Sequence, residues 1–217
     1  MENSVSFTMA DDVTRDLVVV LLSISYSGST TTTLLSSSID IFIDSTDPNI
    51  WLPGDACDAF EAAFGLTLDN TTGLYLVNET HRNTLLNSNA EVSFMLSDVE
   101  SGGDTVSITL PYAAFDLTAE YPLVDNTSYY FPLKRANNST QYTLGRTFLQ
   151  EAYVSSRVYI HYYEVALTLS SYLSADYERQ VFNVSACVWN EGAVENIITI
   201  TSNDSSTATG GGGEGGG

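Results

Sequence analysis

Runs of β-branched and alternating apolar residues recur along the chain, and they predict short β-strands. Residues 15–26 end in alternation, with Leu22, Ile24 and Tyr26 on one side and serines on the other. Because a parallel βαβ fold needs more helices than the pattern offers, the chain is predicted to be mainly β, sandwich-like or barrel-like. Further segments of this character are 39–43, 74–77, 92–96, 106–110, 129–133, 142–144 and 197–201.

Helical patterns are few and short. The clearest spans 54–65, where Asp55 can cap the start, Phe60 and Phe64 lie four residues apart, and Gly65 suits the position after the last turn. A shorter helix is predicted within 146–153, after a buried strand and a Gly145 that another backbone passes closely. Residues 79–82 are predicted to form a polar turn.

The acidic composition narrows the range of partners. The chain has 217 residues, of which 43% are hydrophobic, and its net charge is −20 with only seven Lys and Arg. It can therefore bury a sizeable core. Nucleic acid and anionic membrane surfaces both attract basic proteins, so neither is an expected partner. A strongly acidic surface suits an extracellular or acidic environment.

Asn-x-Ser/Thr sequons are more numerous than chance favours, and they predict a secreted or cell-surface glycoprotein. Two cysteines, Cys57 and Cys187, permit one disulfide in that compartment, and the sequence leaves open whether they pair with each other. No signal peptide is visible at the start, so we expect the protein to continue upstream. The predicted glycosylation sites are Asn70, Asn78, Asn126, Asn137, Asn138, Asn183 and Asn203.

Composition divides the chain into three parts. Residues 1–13 are expected to be an irregular N-terminal remnant, and 14–201 to be the folded lobe. Residues 202–217, rich in Ser, Thr and Gly, are expected to be a disordered tail. Such a tail resembles a stalk, so a membrane anchor beyond it is an open alternative.

Several kinds of catalytic or metal site are not supported. Neither His81 nor His161 has Cys, His or carboxylate partners at metal-ligand spacing, so no metal is predicted. The chain contains no Gly-x-Ser-x-Gly, and its glycine tail lacks the Lys-Ser/Thr end of a phosphate-binding loop. No cofactor is predicted.

The segment with the most chemical content is 41–53, where an apolar run delivers Asp44 into a turn and apolar sequence then resumes. A carboxylate at the end of a buried strand is costly unless it is paired or hydrogen-bonded, which favours a functional role. The alternative is a surface turn, since Asp-Ser-Thr-Asp-Pro is also good turn chemistry.

Two motifs in order give the chain a family resemblance. Residues 42–46, Phe-Ile-Asp-Ser-Thr, followed by an apolar 51–53 and a helix, are similar to the Asp-Thr/Ser-Gly signature of pepsin-like aspartic peptidases. Thr143-Leu144-Gly145 is similar to the late hydrophobic-hydrophobic-Gly element that threads beside the aspartate loop. Residues 16–28 and 177–179 are similar to the strand before the signature and to a late Phe-Asp-Arg strand. The likeness covers about 14–185 and is greatest with the C-terminal lobe of divergent fungal members.

The resemblance implies a six-stranded, ψ-loop or barrel-like β lobe with short helices. It places Asp44 at the position of the second catalytic aspartate, and Ser45 at that of the hydroxyl residue that locks the loop. The reaction needs a second aspartate, which an N-terminal lobe would supply, because no other Asp-Thr/Ser-Gly occurs here. Alone, the chain is expected not to hydrolyse peptides. With such a lobe, its partner would be a peptide or protein substrate.

Departures from the family pattern support a second interpretation. Thr46 replaces a family Gly, where a β-branched side chain is awkward if φ is positive or backbones approach closely. Asp47 adds a second charge, and Arg146 could pair with either carboxylate. Residues 154–172 look like an insertion, either a retained intron or a real apolar loop or strand. The alternative function is therefore a non-catalytic secreted or cell-surface glycoprotein that uses the pepsin-like fold for binding.

Overall fold

Strands form most of the regular structure in the computed structural model, which describes residues 4–10, 15–28, 31–155, 175–176 and 181–187. The predicted strand 197–201, the tail 202–217 and the motif 177–179 lie outside the described residues. The strands are β1 Ser4–Thr8, β2 Val18–Ser27, β3 Thr31–Leu35, β4 Ile39–Ile43, β5 Ile50–Leu52, β6 Leu68–Asp69, β7 Leu74–Val77, β8 Glu91–Ser97, β9 Thr105–Pro111, β10 Leu117–Ala119, β11 Ser128–Phe131, β12 Leu133–Arg135, β13 Thr143–Leu144, β14 Ala152–Ser155, β15 Ala175–Asp176 and β16 Val181–Ala186.

The predicted helix at 54–65 is confirmed as α1, Gly54–Phe64. Gly65 follows it in the left-handed conformation, with φ of 63°, which a glycine adopts without steric cost. Pro53 occupies the N-cap position, so Asp55 lies inside the first turn and accepts a hydrogen bond from the Ala56 N–H at 2.9 Å. The prediction that Asp55 caps the helix was therefore wrong, because the N-cap lies two residues earlier.

A second helix, α2 (Glu79–Ser88), replaces the polar turn predicted at 79–82. Asn78 caps its start by accepting from the His81 N–H at 2.9 Å, and Asn89 ends it with φ of 43°. Only Leu85 of the helix is buried. This narrow apolar face explains why hydrophobic periodicity did not reveal the helix. Neither described helix has the length and apolar content of a membrane span.

The largest sheet has eight strands, against the six that the family resemblance implied. Its order is β12-β5-β13-β4-β2-β8-β9, with β3 also paired to β2, and among the described residues it does not close into a barrel. On β8 and β9, alternate residues such as Phe94 and Ile108 are buried while Ser93 and Thr109 face outward, which is the pattern of a sheet covered on one side.

Two smaller sheets complete the structure. One has the order β10-β11-β7-β6, and the other joins β1, β16 and β14, with β15 also paired to β16. Residues 4–8 thus form a strand inside the segment expected to be irregular, because Val5 and Phe7 alternate with polar residues and are buried. Residues 154–155 continue β14 in unbroken register with β16, and the rest of the predicted insertion lies outside the described residues.

Aromatic rings form the centre of the core between α1 and the sheets. Phe60 and Phe64 stack at a centroid distance of 6.0 Å, as the i, i+4 spacing predicted. Phe131 packs against both and lies parallel to Phe115 at 4.7 Å. Helix α1 is therefore fixed through its buried face, and it follows β5, the strand after the turn that carries Asp44.

Arg135 of β12 ties α1 to the sheet from the outside. Its guanidinium donates to Glu61 Oε1 at 2.6 Å and to the Gly54 carbonyl at 3.1 Å, and it also pairs with Asp58. The Tyr75 hydroxyl accepts from Arg135 and donates to Glu61 at 2.7 Å. Burial and the bond to Glu61 raise the pKa of Tyr75, so the phenol stays a donor.

Arg135→Met is expected to lower the free energy of unfolding by about 2 kcal/mol, because the half-buried Glu61 and the Gly54 carbonyl lose a charged donor. Urea denaturation measures this change. Asp58→Asn is the matched control: its side chain is 70% exposed, so its ion pair is worth less than about 1 kcal/mol. Equal losses in the two variants would contradict the proposed role of Arg135.

Candidate functional site

The turn that carries Asp44 joins β4 to β5, and a strand from much later in the chain lies between these two strands. Strand β4 ends at Ile43 and β5 begins at Ile50, and the two do not pair with each other. Instead β13 lies between them, parallel to β4 and antiparallel to β5. The Asp44 N–H donates to the Leu144 carbonyl at 3.0 Å, so the inserted strand fixes the first residue of the turn. This is the ψ arrangement that the family resemblance implied.

Asp44 is half-buried and its carboxylate is held from within the turn. Its Oδ1 accepts from the Thr46 N–H at 2.8 Å and from the Thr46 hydroxyl at 2.7 Å. Within the described part of the chain, no donor contacts Oδ2. Ser45 is exposed and contributes its backbone carbonyl, so the hydroxyl that contacts Asp44 belongs to Thr46.

Asp47 is engaged differently from Asp44. One carboxylate oxygen accepts from the Asn49 N–H at 2.7 Å and its side-chain amide at 2.9 Å, and the other accepts from the Trp51 indole at 2.7 Å. These three bonds use both oxygens and shape the return into β5. Asp47 therefore stabilises the turn, and Asp44 is the carboxylate with an uncommitted oxygen. The Asn49 Oδ1 is buried without a partner among the described residues.

Position 145 requires a glycine because the backbone of the Asp44 turn passes close to it, as the sequence predicted. A Cβ there would come within 3.0 Å of the carbonyl oxygens of both Asp47 and Asn49. The next two residues bind the same turn: the Arg146 N–H donates to the Asp47 carbonyl at 2.7 Å, and the Thr147 hydroxyl donates to the Pro48 carbonyl at 2.8 Å. The chain after β13 thus holds the turn along its length.

Two expectations about strain and charge do not hold. Thr46 is exposed and, among described residues other than glycine, only Asn89 has a positive φ, so the threonine is not strained. Arg146 donates to the carbonyl oxygens of Thr46 at 2.9 Å and Ser45 at 3.4 Å, and it makes no ion pair with a described carboxylate. Because the guanidinium lies over the backbone, it braces the turn.

A buried phenol and a half-buried amine lie near the turn. Burial raises the pKa of Tyr130, an effect that Arg146 opposes and Asp47 reinforces. Burial lowers the pKa of Lys134, and Asp47 opposes that change. Lys134 donates to the Gly73 carbonyl.

Among the described residues, no group of three or more His, Cys, Asp or Glu is placed to hold a metal ion.

Five of the predicted glycosylation sites are exposed: Asn70, Asn78, Asn126, Asn137 and Asn138. Asn183 is half-buried in β16, between β1 and β14, which is a poor location for a glycan. Asn203 lies outside the described residues.

The two cysteines are free thiols and do not pair with each other in this structure. Cys57 is fully buried in α1, with its sulfur facing the carbonyls of Leu52 and Lys134. Burial raises its pKa to about 12, so the thiol stays protonated at neutral pH.

Alkylation should therefore distinguish folded from unfolded protein. In a Cys187→Ser variant, Cys57 is expected to resist iodoacetamide at pH 8 and to react fully in about 6 M guanidinium chloride, which unfolds most domains. Mass spectrometry measures the adduct. Rapid labelling of the folded variant would contradict the buried position of Cys57.

Comparison with known proteins identifies the fold. No family model matches the chain, and no curated protein sequence matches it. The chain is mainly β and has a pepsin-like aspartic proteinase fold. The crystal structure of aspartic proteinase from Irpex lacteus is similar to it, with a TM-score of 0.51 and 14% sequence identity. The match covers 86% of this chain and 47% of that one, so the chain spans about half the length of that proteinase.

Proposed function

We propose that the chain is the C-terminal lobe of a divergent, fungal-type pepsin-like aspartic endopeptidase. The observation that carries the proposal is the Asp44 turn, which follows β4 and is closed by β13 and Gly145. Such a turn presents one carboxylate oxygen while hydrogen bonds fix the other. Support also comes from the pepsin-like fold of the whole described lobe.

The proposed reaction needs two carboxylates that share a proton. One holds a water molecule as general base, and the other donates a proton to the scissile carbonyl. Asp44 would be one member of this pair, with Thr46 orienting it and Ser45 in a supporting position. The second aspartate would come from an N-terminal lobe. A peptide or protein is the proposed substrate, and the isolated chain is expected to be inactive.

A second candidate is a non-catalytic secreted or cell-surface glycoprotein that uses the fold for binding. Two departures from the family pattern in the Asp44 turn favour this candidate. Asp47 adds a second carboxylate to the turn, and Arg146 binds two of the turn's carbonyl groups. The exposed sequons favour an extracellular location for either candidate. A membrane anchor after the C-terminal tail is compatible with both.

Cleavage of an unstructured protein at acidic pH by the full-length gene product tests the proposal. Cleavage that is lost in Asp44→Asn would establish the peptidase. A full-length product that cleaves nothing would end the peptidase interpretation and favour the binding candidate.

A further inference from the structure

Arg146 uses one nitrogen of its guanidinium group to bind the turn that carries Asp44. The residue is exposed, and its two side-chain hydrogen bonds, to the carbonyls of Ser45 and Thr46, both use Nη1. A guanidinium has five N–H donors in a planar fork. Among the described residues, none accepts from Nε or Nη2 of Arg146, so that edge of the fork is available to a ligand.

In another arginine of this structure, Arg82, the corresponding edge of the guanidinium binds a carboxylate. Arg82 donates from Nε to Asp116 Oδ1 at 2.7 Å and from Nη2 to Oδ2 at 2.6 Å. This two-point geometry matches the spacing of carboxylate oxygens and discriminates a carboxylate from an amide. Arg146 has the same chemistry on an exposed surface.

The charge of Arg146 is also not neutralised by an ion pair within the described part of the chain. Arg82 and Arg135 both contact carboxylates, whereas Arg146 contacts neutral carbonyls. Of the two acidic residues in the turn, Asp47 has both oxygens engaged by Asn49 and Trp51, and Asp44 has one oxygen engaged by Thr46. In a chain with a net charge of −20, an exposed cation at this position gives a ligand carboxylate a local site.

We propose that Arg146 is a specificity-determining residue that binds a carboxylate of a peptide lying across the Asp44 turn. The inference rests on the proposed function only in requiring that a peptide binds there, and it holds for either candidate. The carboxylate can belong to an Asp or Glu side chain or to the peptide C-terminus.

Three matched fluorescent peptides test this in the full-length product carrying Asp44→Asn, which prevents turnover. The first contains a central Glu and an amidated end, the second replaces Glu by Gln, and the third is the Gln peptide with a free C-terminal carboxylate. Fluorescence anisotropy at pH 6 is expected to show about fivefold tighter binding of a carboxylate peptide than of the amidated Gln peptide, as suits an exposed ion pair. If the first peptide binds more tightly, Arg146 recognises a side-chain carboxylate. If the third binds more tightly, Arg146 recognises the C-terminal carboxylate.

Arg146→Gln is expected to remove the preference, and Arg146→Lys to retain part of it, since lysine keeps the charge without the fork. Arg15→Gln is the matched control, because Arg15 also donates to backbone carbonyls, those of Thr140 and Tyr142. A merely structural role for Arg146 would weaken all three peptides equally. The inference would be overturned if the Asp44→Asn protein bound all three peptides equally or bound none of them. It would also be overturned if the preference for a carboxylate peptide survived in Arg146→Gln. If the carboxylate preference is found but the full-length product with Asp44 intact cleaves no peptide, the inference about Arg146 is upheld and the peptidase proposal is rejected.

Discussion

Gly145→Ala is expected to lower the free energy of unfolding by about 3 kcal/mol, a large effect for one added methyl group. The new Cβ would overlap the carbonyl oxygens of Asp47 and Asn49, which are backbone atoms and cannot rotate away. Relief requires β13 to move away from the turn. That movement would stretch the bond from the Arg146 N–H to the Asp47 carbonyl. Urea denaturation followed by fluorescence measures the change.

Gly54→Ala is the matched control for this prediction. Gly54 is the first residue of α1, and the nearest atom to an added Cβ is Arg135 Nη1 at 3.6 Å, which is ordinary contact. Alanine favours helix, so this variant is expected to be neutral or slightly stabilised. A Gly145→Ala protein as stable as Gly54→Ala would show that the turn and β13 are not in close contact.

Asp44→Asn is expected to reduce kcat for peptide cleavage about a thousandfold in the full-length product, if the proposed peptidase activity exists. Asparagine can accept the same two bonds from Thr46 through its Oδ1. It cannot share or transfer the proton that the dyad requires. The loss should therefore fall on the chemical step, and the urea midpoint should change little.

Two comparison variants make this result specific. Asp104→Asn removes an exposed carboxylate just before β9 and is expected to leave cleavage unchanged. Asp47→Asn places an amide where three donors converge, so it is expected to destabilise the fold, a loss that Asp44→Asn does not share. Undiminished cleavage by Asp44→Asn would remove Asp44 from the reaction.

The fold was predictable where local patterns decide it. Strand β8 and helix α1 have clear periodicity, and Gly65 marks the end of α1. Helix α2 was missed because its stability comes from capping by Asn78 and from the contact of Arg82 with Asp116, with little apolar surface buried. Strand β1 was missed because five alternating residues are weak evidence until their partner, β16, is known.

The candidate site was predictable in outline from the order of its motifs. That order predicted Gly145 against another backbone, which the structure confirms. It also predicted a buried turn at Asp44, whereas Asp44 is half-buried and Ser45 and Thr46 are exposed. The roles of Thr46 and Arg146 were not predictable, because they depend on side-chain rotamers and on which atoms face each other. A threonine in place of glycine suggested strain, yet its N–H and hydroxyl both bind Asp44.

The insertion of β13 between β4 and β5 has a consequence for synthesis of the chain. Phe42 pairs with Thr143, so the gap beside Asp44 stays open until about a hundred further residues have been made. At about 5 to 20 residues per second, the ribosome takes several seconds to supply them. During that interval the edges of β4 and β5 are unpaired and open to other strands. Protection of the nascent chain by a chaperone would matter most at this stage.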